Sequence, residues 1–455
     1  MTKIYCARWV LPITDEPIRD GAVAVEGTRV MGVGPRALVL ERFPTALVEE
    51  LDEAAIMPGF VNCHTHLELT AMRGFLESEE GDFFAWLRKV TISRNERMSA
   101  DDLYVSTAWG AIEAVRAGVT CVGDASDSGA TTMRALRDAG LRGIVYQEAF
   151  GPDAREAAVK FDHAREKLER LRSGATALVT LGLSPHSPYT VAPTLLEMLA
   201  RYAIDERLPL MMHAAESEAE QALMLEGGGI FATAYALRGF AFDSPRTTTV
   251  RHLANTGVLD ARPLLAHCVR VDEGDIKLLK QHGAGVAHCP KSNAKLGHGR
   301  APLAAMFEAG VNVGLGSDSV ASNNVCDMLE EARFALLASR AAFETVAGGR
   351  MLEANDALRL LTHGGAAALN MQGVTGSLKE GLEADLVAVR LDAAHQTPHY
   401  DPAAALVFSS SGRDVLLTVV AGREVFRDGR VTTLDEDDLR ARILDLAPRL
   451  SASKG

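Results

Sequence analysis

Ile56-Met57-Pro58-Gly59-Phe60-Val61-Asn62-Cys63-His64-Thr65-His66 is a short apolar run that ends abruptly in polar, metal-affine side chains. A buried strand delivering chemistry at its carboxyl end is how a parallel β/α barrel presents an active site. In an extended segment residues i and i+2 face the same way, so His64 and His66 offer two imidazoles to one ion.

Read outward from Ile56–Val61, the pattern recurs. Strand-like runs follow at 119–123, 143–147, 178–183, 210–212, 264–266, 286–287 and 311–315, making eight. The stretches between them carry helical punctuation: Ser99 and Asp102 form a start resembling a capping box, and Gly118 stops the helix after Ala117. Eight strands alternating with helices predict an α/β fold of the (β/α)8 TIM-like barrel type over 56–370. An open doubly wound sheet fits less well, because neither a glycine-rich phosphate fingerprint nor a P-loop follows any strand. The flanks read as strands and hairpins. Residues 22–25 and 28–33 pair across a Glu26-Gly27 turn, and 376–389 with 415–420 and a Gly422 turn return the same chemistry. Segments 1–55 and 371–455, the latter with a C-terminal helix, are expected to build one small β-sandwich domain.

Composition narrows the function. With 47% hydrophobic and 24% charged residues, the 455-residue chain is ordinary globular protein. Its net charge of −13 offers no field for nucleic acid or anionic membranes. The N-terminus lacks a signal-peptide core and no long apolar run suggests a membrane span, so a cytoplasmic protein is expected. Six scattered cysteines, none in a Cys-x-x-Cys pair, read as reduced thiols rather than as a disulfide or thiolate-zinc framework.

Polar residues just past the other strands complete the His64/His66 pair. His213 follows strand five, His267 strand six, and Gly316-Ser317-Asp318 strand eight. An isolated strand-end histidine is commonly a packing residue and an Asp after Gly-Ser a helix cap. Together, however, His64, His66, His213 and Asp318 make a nitrogen-rich, carboxylate-completed site for a divalent metal with room for water. Glu216, three residues beyond His213, can shuttle protons if a helix begins there. His267 is either a fourth ligand or the group that orients the nucleophile; the second role is preferred, since three histidines and one aspartate suffice. Asp318 can also accept a proton from a metal-activated water. Residues 177–185 contain no lysine to bridge two ions, which favours one metal.

These residues resemble the amidohydrolase superfamily, in its cytosine deaminase-like branch with the methylthioadenosine/S-adenosylhomocysteine and aminodeoxyfutalosine deaminases. The resemblance runs through 58–66, Ser184-Pro185-His186-Ser187-Pro188-Tyr189, His213-Ala214-Ala215-Glu216, Ala266-His267-Cys268, Pro290–Gly297 and Gly316-Ser317-Asp318-Ser319. It implies His64, His66, His213 and Asp318 as metal ligands, zinc in preference to iron, with Glu216, His267 and Asp318 catalytic. It also implies His186, Trp86, Arg73, Ser292 and Asn293 as substrate contacts, Trp86 and Arg73 through a lid region. The stretch after the lid, Arg88-Lys89-Val90-Thr91-Ile92-Ser93, departs from the methylthioadenosine deaminases, which makes aminodeoxyfutalosine a serious candidate substrate.

The expected reaction is hydrolytic deamination of an adenine-type nucleoside, with aminodeoxyfutalosine, methylthioadenosine, S-adenosylhomocysteine and adenosine as candidates. Water attacks the amino-bearing ring carbon while Glu216 protonates first a ring nitrogen and then the departing ammonia. Alternatives are a guanine or cytosine deaminase, a triazine-type chlorohydrolase, or a non-catalytic binding module. Retention of Glu216 favours deamination, because triazine chlorohydrolases of this branch can lack it. The expected partners are a small heterocyclic substrate and water, with no nucleic acid and no membrane; many relatives are homodimers.

Overall fold

The computed structural model describes residues 1–341 and 350–451. Its centre is eight parallel strands, β1 (Phe60–Thr65), β2 (Val119–Ser126), β3 (Arg142–Ala149), β4 (Val179–Pro185), β5 (Met211–Ala214), β6 (Leu264–His267), β7 (Gly285–His288) and β8 (Asn312–Leu315). β1 to β4 pair in order, as do β5 to β8. Leu183 N–H donates to Pro209 O (2.8 Å) and His213 N–H to His186 O (2.9 Å), joining β4 to β5. Asp318 N–H donates to His64 O (2.9 Å) past the end of β8, joining it to β1. The two halves thus meet on both sides in a (β/α)8 barrel.

Every residue of β1, β2 and β3 is buried, because helices cover one face of a parallel barrel and its own interior the other. Val61, Cys63, Cys121, Ile144, Tyr146 and Met211 fill the interior, closed from below by Ala366, Ala368 and Leu369. The outward faces pack on helices such as Ala100–Arg116, whose Val105, Ala108, Ala111, Ile112 and Val115 form one buried stripe. That helix begins at Ser99 in a complete capping box with Asp102, as its sequence predicts.

The first strand differs from expectation. Ile56 and Met57 lie in a separate strand, Ala54–Pro58, that pairs antiparallel with Leu386–Arg390. The chain breaks at Gly59 and enters the barrel at Phe60. A Cβ at Gly59 would stand 2.0 Å from Thr120, so glycine is required where the two sheets meet. Apolarity alone could not show that one run serves two sheets.

The terminal segments form a nine-stranded sheet that includes Lys3–Val10, Ile18–Glu26, Arg29–Pro35 and Val415–Val420. It folds over on itself, since Val30 N–H donates to Leu382 O (3.0 Å) and Ala384 N–H to Thr28 O (2.7 Å). Tyr5, Val23, Ile56, Leu386 and Leu417 are its core. Arg142, at the start of β3, ties this sandwich to the barrel through buried ion pairs to Asp385 (2.7 Å) and Glu383 (2.9 Å). All six cysteines are free and buried. Among the described residues no helix is long and apolar enough to cross a membrane.

Candidate active site and metal centre

The carboxyl ends of β1, β5 and β8 bring the predicted ligands together. Ligand atoms of His64, His66 and His213 all lie within 4.8 Å of one another. Asp318 Oδ1 stands 3.4 Å from His64 Nε2 and 3.6 Å from His66 Nε2. The His213 tautomer follows from its neighbour. Nδ1 is 2.8 Å from the His186 carbonyl and must carry the proton to bond it, so Nε2 keeps its lone pair. That nitrogen is 3.1 Å from His66 Nε2, so the pair either shares a proton or turns two lone pairs towards one cation.

Burial, then the crowding of neighbouring imidazoles, hold His213 well below the usual histidine range and His66 down to about 4. Neutral imidazole is the form that binds a cation. Burial alone would neutralise Asp318, but His64 beside it, with His267 and His66, keeps its carboxyl well below the usual range. Its other oxygen accepts hydrogen bonds from Ser292 Oγ (2.6 Å) and Ser322 Oγ (2.8 Å). His64 is the residue that calls most directly for a cation. It is fully buried, yet neither ring nitrogen has a hydrogen-bond partner. A buried imidazole left so is costly unless a cation completes it.

Glu216 occupies the loop between β5 and the helix Glu218–Glu226, which starts at a Ser217 cap, so it precedes the helix instead of lying in it. Glu220 accepts from the Ala215 and Glu216 amides (2.8 and 2.9 Å) and fixes that loop. Glu216 Oε1 is 3.6 Å from His267 Nε2 and 3.4 Å from His298 Nε2. Burial pushes its carboxyl up, and His267 and His298 more than offset this, leaving it lowered. Burial opposes the charged form of His267, but Glu216 and Asp318 raise it above its ordinary value. Asn293 Oδ1 holds His267 Nδ1 at 2.8 Å. His267 and Asp318 both have left-handed backbones (φ 75° and 55°), strain that clusters where a scaffold fixes functional groups.

A cavity of about 630 Å³ opens onto these groups. Trp86 and His186 line it, with Phe83, Phe84, Tyr189 and Phe231 as aromatic walls. The other three expected substrate contacts lie elsewhere. Arg73 pairs with Glu113 outside the cavity, because the chain turns away after the short helix Leu67–Met72. Ser292 is spent on Asp318 and Asn293 on His267, both fully buried beneath the cavity floor. The motif was visible in sequence, but not the direction in which its side chains point.

His298 escaped the sequence reading. It follows Gly297, whose φ is 68°, in a loop with no strand to announce it. Its place one residue past the Pro290–Gly297 motif is the only sequence signal. Glu148, at the end of β3, was also missed; it lines the cavity, and burial raises its carboxyl well above the usual range.

The amidohydrolase family model matches residues 55–425 of this chain. The chain belongs to the amidohydrolase family. Among relatives of this amidohydrolase is a 5-methylthioadenosine/S-adenosylhomocysteine deaminase of Pelotomaculum thermopropionicum, 34% identical over 438 residues, covering 96% of this chain and 95% of the relative. The corresponding protein of Symbiobacterium thermophilum is 34% identical over 449 residues, covering 97% of each. An adenosine deaminase from Xanthomonas campestris, solved with bound zinc, superposes with a TM-score of 0.86 at 27% identity, covering 98% of each chain. The amidohydrolase is thus a hydrolase of carbon–nitrogen bonds with a divalent metal centre.

Proposed function

We propose that this amidohydrolase hydrolytically deaminates an adenine nucleoside and releases ammonia, with one zinc ion held by His64, His66, His213 and Asp318. The observation that carries the reading is Glu216, a buried carboxylate between His267 and His298, opening on the cavity that holds the ligand cluster. When bound, the metal acts as a Lewis acid and brings the pKa of a water towards neutrality.

The protein's own groups do the rest. Glu216, kept ionised by its two histidines, takes a proton, passes it to a ring nitrogen and then protonates the departing amine. His267, biased towards its charged form, steadies negative charge as it develops at the reacting carbon. Asp318, fixed by two serine hydroxyls, receives the second proton lost by the nucleophile, and Glu216 relays it to the departing amine. The aromatic walls suit a planar heterocycle, and the volume lies in the range of small-molecule sites.

Ammonia release is to be measured across adenosine, methylthioadenosine, S-adenosylhomocysteine, aminodeoxyfutalosine, guanine and cytosine. Turnover is expected with the adenine nucleosides and with stoichiometric zinc. Glu216→Gln is expected to lose about 10³-fold in kcat while keeping its metal. Turnover of guanine or cytosine alone would overturn the substrate assignment, and an undiminished E216Q variant would overturn the proton route.

A further inference from the structure

Glu148 is a cavity carboxyl that the mechanism leaves unused. It is 8% exposed, and its Oε1 is buried with no hydrogen-bond partner among the described residues. Its neighbours on the same wall are satisfied. Glu68 accepts from Arg94 (2.6 Å) and Ser126 (2.7 Å), and Asp127 accepts from Lys167 (2.7 Å). A buried acceptor without a donor costs stability, so its persistence at a cavity wall points to a partner that arrives with the ligand.

A cation is one occupant to weigh, because Glu148, His186 and His213 also place ligand atoms within 4.8 Å of one another. His213 cannot serve two ions. Its Nδ1 is bonded to the His186 carbonyl, and its Nε2 faces His66 at 3.1 Å. His186 is engaged as well, through Nδ1 to Thr190 Oγ1 (2.8 Å), and its Nε2 lies 4.0 Å from Glu148, beyond hydrogen-bonding reach. What remains is a hydrogen-bond donor on the substrate.

We propose that Glu148 is a specificity-determining residue that receives a hydroxyl of the substrate's sugar. The assignment rests on the adenine-nucleoside reading above. Glu216, His267 and His298, from β5, β6 and the loop after β7, surround the amino-bearing edge of the base. Glu148 and His186 close the cavity from β3 and β4, the wall left for the sugar edge. Phe150, whose ring centroid is 4.9 Å from that of His186, flanks this wall. A carboxyl, charged or neutral, offers an acceptor to a hydroxyl.

The test compares kcat/KM for adenosine and its 2′-, 3′- and 5′-deoxy analogues in the zinc-loaded wild type, Glu148→Ala and Glu148→Gln. In the wild type one analogue is expected to fall about ten- to a hundredfold below adenosine. In E148A adenosine should drop to the level of that analogue while the analogue itself is unchanged. E148Q, which keeps the shape and one acceptor, should retain part of the discrimination and guards against a folding artefact. Equal losses on adenosine and every analogue, or discrimination that persists in E148A, overturn the assignment. If the wild type deaminates no adenine nucleoside, the functional reading falls and takes this inference with it; wild-type turnover without a Glu148 effect fails the inference alone.

Discussion

Glu216 Oε1 lies 3.4 Å from His298 Nε2, so the side chain proposed to move the proton is flanked by a loop histidine from beyond β7 as well as by His267 of β6. Phe83 packs edge-on against His298, with centroids 4.5 Å apart, and links this pair to the helix Phe83–Arg97 over the cavity.

His298 therefore tunes Glu216 and is a positioning residue. It is one of two groups that draw the carboxyl below its ordinary value against the opposing effect of burial. In His298→Gln the Glu216 pKa moves up, so the acid limb of the kcat/KM profile shifts to higher pH. The loss at the pH optimum is expected to be about tenfold. A pH profile superimposable on the wild type would show that His298 only packs.

Ser292 donates to Asp318 (2.6 Å), so under the proposed function it acts on the metal and not on the substrate. Ser292→Ala removes one of two hydroxyl donors to Asp318 Oδ2 and leaves Ser322 in place. Zinc affinity should fall about 10- to 100-fold, measured by competition with a chromophoric chelator. At saturating zinc, KM for the nucleoside should be unchanged. A raised KM with normal zinc affinity would restore Ser292 as a substrate contact.

These two residues show where sequence was legible. His64 and His66 could be read because alternation on a strand fixes a shared direction, and His213, His267 and Asp318 because each closes an apolar run. That signal depends on a regular element with a known active end. Ser292, Asn293 and His298 lie on or just past the short helix Pro290–Lys295, where direction is set by tertiary packing, so the motif marked their importance without their partners. Arg73 was misplaced for a related reason: the turn after Leu67–Met72, not the local residue types, sends it to Glu113. The strand carrying Ile56 was misread because burial in a terminal sheet and burial in a barrel leave the same apolar signature.

The buried cluster also makes the metal a stability element. Without a cation, His66 and His213 face each other nitrogen to nitrogen, and His64 is buried with Asp318 Oδ1 at 3.4 Å but no hydrogen-bond partner on either ring nitrogen. A cation that binds the folded state and not the unfolded one adds about 2.7 kcal/mol when its free concentration is a hundredfold above Kd. Chelation should lower Tm by a few degrees and abolish turnover, and added zinc should restore both. In His213→Ala the zinc-dependent part of the Tm shift should shrink sharply. A Tm indifferent to chelation in the wild type would mean that the centre is not a metal site.

Glu331 gives a pH dependence separate from the metal ligands. It is fully buried, accepts from Asn323 Nδ2 (2.5 Å), and has Lys291 Nζ at 3.8 Å. Burial pushes its carboxyl up to about 8, although Lys291 and Asn323 pull the other way. The folded value thus exceeds the unfolded one, near 4.5, so the native state binds the extra proton between those two pH values. The stabilisation is fully present below about 4.5 and disappears as pH rises through about 8, with a slope of at most about 1.4 kcal/mol per pH unit. Glu331→Gln keeps the acceptor for Asn323 and cannot titrate. Urea unfolding of the chelated protein at pH 6 and pH 8 should show the wild type losing about 2 kcal/mol more than E331Q across that interval. Parallel losses in the two proteins would place the extra proton elsewhere.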